Sequence, residues 1–232
     1  MKRVSILLFL LFAACTQKPC IQSGDLLFVG LPFDYKADTN SMSSAIAEAT
    51  GAEEGLNYIH TAILEVKEDS VWIIDATIKR GVARYPLDTF LVDFTLSDGS
   101  YPVFEIMRFK DGARDIVSKS KEFLGLPYDV YFLPDNGAMY CTELVRDSYL
   151  DENGQPLLPA APMNFKAPSG EFPPYWTWLF DSIGAPIPQG VPGTNPQDMR
   201  NSPLLELINI PYIAELIYEN FGGYQLDERR TP

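Results

Sequence analysis

His60 is the only histidine in the chain. It lies in Asn57-Tyr58-Ile59-His60-Thr61-Ala62-Ile63-Leu64, an apolar run that reads as a strand. Cys141 stands at the head of a predicted helix, in Met139-Tyr140-Cys141-Thr142-Glu143-Leu144-Val145. A helix N-terminus favours negative charge, so it favours a thiolate there. An imidazole within reach supplies the base for nucleophilic attack and the acid for departure of a leaving group. Any chemistry that needs a histidine must use this one.

A third group should orient the imidazole. The runs Ile59–Val66 and Val71–Ala76 are joined by the polar turn Lys67-Glu68-Asp69-Ser70 and predict a hairpin. In a hairpin the start of the first strand meets the end of the second. Asp75 therefore falls beside His60, whereas Glu65 falls on the opposite face and too far along. Taken singly, each residue has an ordinary alternative: a buried inert thiol, a core histidine, an acid closing a turn.

The remaining elements must place these groups. Gly24–Gly30 is a short apolar strand between glycines, and Asn40 or Ser41 caps a helix reaching about Ala49. Gly81–Tyr85 is a further strand, and Pro86 opens a helix over Leu87–Phe94. Tyr101–Phe109 is strand-like, and Asp111 starts a helix that Gly125 stops. Pro127–Leu133 is extended and aromatic, and the Cys141 helix runs to about Leu150. From Asp151 to Ser202 proline, glycine and aromatics dominate. This predicts irregular chain over the core, with a helical patch near Tyr175–Ile183. Leu204–Phe221 reads as helix, restarted at Pro211 and ended at Gly222-Gly223. Tyr128, Tyr140 and Trp176 are candidate pocket residues, with Tyr175 and Trp178 beside them. Ordinary packing is their alternative.

With 232 residues, 46% hydrophobic and 21% charged, the chain is long enough for one sizeable core. Its formal charge of −13 argues against a nucleic-acid partner, which would need clustered Lys and Arg. Metal-ligand spacings such as CxxC and HxxxH are absent, and no cofactor is called for. Lys2 and Arg3, the apolar run Val4–Phe12 and Ala13-Ala14-Cys15 follow the logic of a secretory signal, too short to span a bilayer. The segment resembles a bacterial lipoprotein signal, although Phe12 stands where a smaller aliphatic residue is usual. Residues 1–14 are then expected to be removed, Cys15 to carry the lipid, and 15–22 to form a tether. The expected location is the cell envelope, on a membrane surface through that anchor. A Cys20–Cys141 disulfide would destroy the nucleophile, and Cys20 lies in the tether.

An ordered set of short runs carries a family resemblance. It comprises Gly24-Asp25-Leu26-Leu27-Phe28, Ala45-Ile46-x-x-Ala49-Thr50, Tyr58-Ile59-His60-Thr61-Ala62-Ile63, Gly81-Val82 with Pro86-Leu87-x-x-Phe90, Leu126-Pro127-Tyr128-Asp129, and Tyr140-Cys141-Thr142-Glu143-Leu144-Val145. Together they resemble the YiiX/YebB-like branch of the NlpC-type, papain-like superfamily, a circularly permuted branch in which histidine precedes cysteine. The resemblance implies an α+β fold over residues 23–150, with a curled antiparallel sheet of five or six strands and the cysteine helix packed on it. Residues 151–232 would form an extension on that core. It also implies Cys141 as nucleophile, His60 as base and Asp75 as the polar third residue, where relatives often have Glu. Thr61 and Thr142 replace the usual Val and Ser. The expected activity is hydrolysis of an amide in a peptide or cell-wall fragment, through an acyl-enzyme. The alternatives are acyl transfer or ester hydrolysis on a lipid, as in lecithin retinol acyltransferase-like enzymes, or a binding protein without catalysis.

Overall fold

Strict alternation in the strands sorts the core into two layers. In a computed structural model of the chain, Leu26 and Phe28 face one side of a sheet while Leu27, Val29 and Leu31 face the other, all of them buried. The structure describes residues 20–35, 40–51, 55–68, 70–112 and 115–208. The expected signal segment, Cys15, most of the tether and the helix expected beyond Ile208 lie outside them.

The sheet has six antiparallel strands in the order β4-β3-β2-β1-β5-β8. These are β1 (Leu26–Pro32), β2 (Leu56–Lys67), β3 (Ser70–Thr77), β4 (Gly81–Pro86), β5 (Val103–Phe109) and β8 (Leu205–Ile208). Helices α1 (Met42–Thr50) and α2 (Leu87–Asp93) precede β2 and β5. α3 (Ile116–Lys121) and α4 (Cys141–Ser148) follow β5. A two-stranded ribbon of β6 (Ala161–Pro162) and β7 (Pro192–Gly193) flanks α5 (Pro174–Ile183), and α6 (Pro196–Arg200) precedes β8.

One face of the sheet packs Ile63, Ile74 and Met107 against Leu144, Val145 and Tyr149 of α4 and its end. The other packs Leu64, Ile73 and Ile106 against Leu87, Phe90 and Leu91 of α2. A third cluster joins Ala45 of α1 to Phe132, Tyr140, Met163, Phe165, Trp176 and Phe180. It fastens the proline-rich extension to the helix that Cys141 begins. Thr142 Oγ1 donates to the Thr194 carbonyl at 3.1 Å, and the Tyr140 hydroxyl accepts from the Thr194 N–H at 3.0 Å. Gly193 lets the ribbon approach this closely: a Cβ there would meet Met163 Sδ at 2.5 Å and the Tyr140 hydroxyl at 2.7 Å.

Two expectations need correction. Leu204–Ile208 is not helical: Leu205–Ile208 pairs with β5, Leu205 opposite Phe109. A short apolar run suits either state, and the open edge of β5 offers it a ladder of backbone hydrogen bonds. The helix expected from Asp111 starts at Ile116, and Asp115, its N-cap, has φ of 57°.

Candidate active site

His60 sits where β2 leaves its regular register. Val29 opposes His60 but Gly30 opposes Tyr58, so one residue of β2 bulges out. A bulge re-aims side chains and needs a partner for its displaced backbone. Here Gln197 of α6 accepts from the Tyr58 N–H at 3.1 Å, so the extension supports the turn that presents the histidine.

The register between β2 and β3 pairs Ile63 with Ile74, which sets Asp75 diagonal to His60 on the same face. His60 Nε2 lies 3.1 Å from Asp75 Oδ2. The same oxygen accepts from the Tyr85 hydroxyl at 2.9 Å. Asp75 is fully buried and His60 nearly so. The rings of Phe94 and Phe90 flank the imidazole at centroid distances of 4.8 and 5.9 Å. With Nε2 committed to Asp75, Nδ1 is the nitrogen left for Cys141, whose side chain is the other hydrogen-bond partner of the ring.

Cys141 is the first residue of α4, buried and free, while Cys20 is free and exposed. The Glu143 carboxyl one turn on accepts from the Tyr140 N–H at 3.4 Å, holding the helix entry. Burial, then the neighbouring Asp147 and Asp129, push Glu143 up to about 8. Burial alone would push the His60 imidazolium down. The thiolate charge of Cys141 and the hydrogen bonds to Asp75 and Cys141 outweigh it and hold the pKa at about 10. The His60 ring is therefore held as imidazolium at neutral pH, beside the Cys141 sulfur.

Tyr128 and Tyr140 border the same sulfur. Asp129 is fully buried, and its two oxygens accept from the Tyr131 and Leu133 N–H groups at 2.8 Å each, fixing the loop that carries Tyr128. Burial, then the charge of Cys141, keep the Tyr128 phenol protonated well above its ordinary range. Burial likewise raises Tyr140 to about 12.

Two hollows meet at Cys141 and Tyr128. A small apolar chamber of about 50 Å³ adds Ile46, Phe132, Tyr140, Phe165 and Trp176. A groove of about 310 Å³ adds His60, Ile59, Thr77, Arg80, Tyr85 and Phe94. Trp176 is 2% exposed and its indole N–H has no protein partner among the described residues. Trp178 is exposed, and Tyr175 packs on Trp176. The residues singled out in the sequence, Cys141, His60, Asp75, Tyr128, Tyr140 and Trp176, thus converge on one place, and Trp178 does not. Tyr85, Phe94 and the groove's cations escaped sequence reasoning. Tyr85 had a signal, since the turn after Thr77 returns β4 beside Asp75.

A helix-leading cysteine preceded in the chain by its histidine is a papain-like site in permuted order. The family model of permuted papain-like amidases, YaeF/YiiX, matches residues 20–209. The chain belongs to this family. It is accordingly a cysteine hydrolase of the amidase and peptidase type. Among solved structures it is similar to yiiX from Escherichia coli, described as a metalloprotein. The two share 22% identity over 83% of this chain and 98% of that one, with a TM-score of 0.59, a likeness of fold. No curated protein matches the sequence. Among the described residues no group of three or more His, Cys, Asp or Glu is placed to hold a metal ion.

Proposed function

We propose that the chain is a cell-envelope cysteine amidase acting through Cys141, His60 and Asp75. The observation that carries this reading is the buried His60 ring, held by Asp75 on one nitrogen and facing the helix-leading sulfur of Cys141 with the other. The thiolate attacks the amide carbonyl. The oxyanion receives the Cys141 N–H and the Tyr128 hydroxyl. The His60 imidazolium gives its proton to the leaving amine, and the acyl group stays on sulfur. His60, now neutral, takes a proton from water, whose hydroxide attacks the thioester and returns the thiolate. Asp75 keeps the ring oriented throughout, and no cofactor enters.

Peptides and cell-wall fragments are the amide substrates that suit an envelope location. The second reading is a lipid acyl ester, of which the first carbons alone would fill the apolar chamber of about 50 Å³ beside Cys141. The signal-like segment through Cys15 supports the location, and Cys15→Ser should release the protein from membranes with its fold intact.

Labelling of the full chain by a thiol-directed activity probe tests the chemistry. Cys141 should react at pH 6–7 much faster than Cys20, and His60→Ala should remove the difference. Equal reactivity of the two cysteines would sink the proposal.

A further inference from the structure

The two hollows at Cys141 differ in one respect that fixes the direction of the substrate. His60 lines the groove but not the apolar chamber. Since His60 must hand its proton to the leaving amine, the leaving group occupies the groove and the acyl group the chamber. This direction of the substrate rests on the catalytic role proposed for His60.

The groove carries a cationic rim. Lys79 and Arg80, in the turn between β3 and β4, both line it, and Asp93 at the end of α2 is the one carboxylate among its described lining residues. Asp93 accepts from Lys79 Nζ at 2.8 Å and also from Arg80 Nη1. Two cations share one anion, which leaves a surplus positive charge. In a chain of formal charge −13, such a surplus beside the nucleophile runs against the composition. Arg80 is also held in place: its guanidinium lies 4.4 Å from the centroid of the Tyr85 ring, and the Tyr85 hydroxyl donates to Asp75. Its side chain is 22% exposed, so the charge is partly desolvated. Nε and Nη2 have no protein partner among the described residues, a planar fork suited to a carboxylate or phosphate.

We propose that the leaving amine carries an anionic group, which docks on Arg80 and Lys79. An amino acid released with a free carboxylate has this chemistry, and so does an amine bearing a phosphate, as in a lipid headgroup. Arg80 and Lys79 select the substrate and take no part in bond breaking.

Chloroacetyl amides test the assignment without a known substrate. In each, the Cys141 sulfur displaces chloride: the S–C bond forms as the C–Cl bond breaks, and chloride leaves. N-chloroacetylglycine puts a carboxylate on the leaving-group side, and N-chloroacetylglycinamide is its neutral match. At low ionic strength the full chain should be alkylated at Cys141 about fivefold faster by the carboxylate, the effect of one unit charge at roughly 8 Å in an intermediate dielectric. The double variant Lys79→Gln/Arg80→Gln should bring the ratio to about one. Asp93→Asn should raise it above wild type, a change of opposite sign that loss of folding cannot mimic. The phosphate of N-chloroacetylaminoethanol phosphate should be favoured over glycinamide too, and whichever anion reacts faster names the source. Labelling of Cys141 with equal rates for charged and neutral probes, or the same ratio in all three proteins, would overturn the proposal and leave the catalytic reading standing. A folded protein whose Cys141 reacts no faster than Cys20 with every probe would remove both.

Discussion

Replacing Asp75 by Asn keeps the shape of the side chain and one acceptor but removes the charge that faces His60. Asp75 is fully buried, and its Oδ2 lies 3.1 Å from the ring nitrogen, so its bond to the imidazolium is a charged one in a dry site. Such bonds contribute about 1.5–3 kcal/mol. At about 1.4 kcal/mol per pH unit, that is roughly one to two units of imidazolium acidity. The wild-type ring should titrate near 10, and Asp75→Asn should bring it down to roughly 8–9. Because His60 is the only histidine, its ring protons can be followed by NMR in a protein without a histidine tag. The alkaline limb of kcat/KM on an amide substrate should move with it, since the ring must be protonated to release the amine. A wild-type ring that titrates near 6.5, or an Asp75→Asn ring that titrates where wild type does, would refute the ion-pair reasoning.

Three further outcomes follow from other parts of the structure. Glu143 is held up to about 8 from 4.5, so the folded state binds its proton more tightly than the unfolded chain does. Stability is then lost as pH rises from about 4.5 to about 8, by at most a few kcal/mol, and Glu143→Gln should narrow the gap in Tm between pH 5 and pH 9. Arg108 grips the buried Asp25 through Nε at 2.6 Å and Nη2 at 2.7 Å. Arg108→Met should cost about 3–5 kcal/mol in a urea melt, and adding Asp25→Asn should recover much of it by removing the stranded charge. Gly193→Ala pushes the ribbon away from Met163 and Tyr140, and should cost about 1–3 kcal/mol. It should also slow thiol labelling at Cys141 more than that stability loss alone would.

The placement of His60 beside Asp75 was legible because strand alternation and a four-residue turn define a hairpin register. Cys141 was legible as a helix start, and the structure adds the Glu143 carboxyl that holds that start. The bulge at His60 was not, since the group that satisfies its displaced backbone is Gln197, far along the chain in a helix too short to show periodicity. Asn195-Pro196 marks the start of that helix, inside a proline-rich stretch whose composition predicts irregular chain. Leu205–Ile208 reads as helix in the sequence and is a strand in the structure, because its partner, β5, decides its state. The groove's cations carried no motif, since they become a pair only when the end of α2 brings Asp93 between them.

The pairing of β5 with β8 also has a consequence in time. β5 ends at Phe109, and the strand that covers its outer edge begins at Leu205, about a hundred residues later in synthesis. At about 5–20 residues per second, the Val103–Phe109 edge stays uncovered for roughly 5–20 s in each nascent chain. Each face of that edge is mostly apolar, with Glu105 the single charge on one and Arg108 on the other, and exposed edges recruit other strands. Gln197, which steadies the histidine, emerges just before the covering strand. A ribosome-bound fragment ending before residue 195 therefore presents a finished thiol, an unsupported histidine and an open sheet edge. Aggregation, rather than premature hydrolysis, is the hazard this chain meets while it is being made.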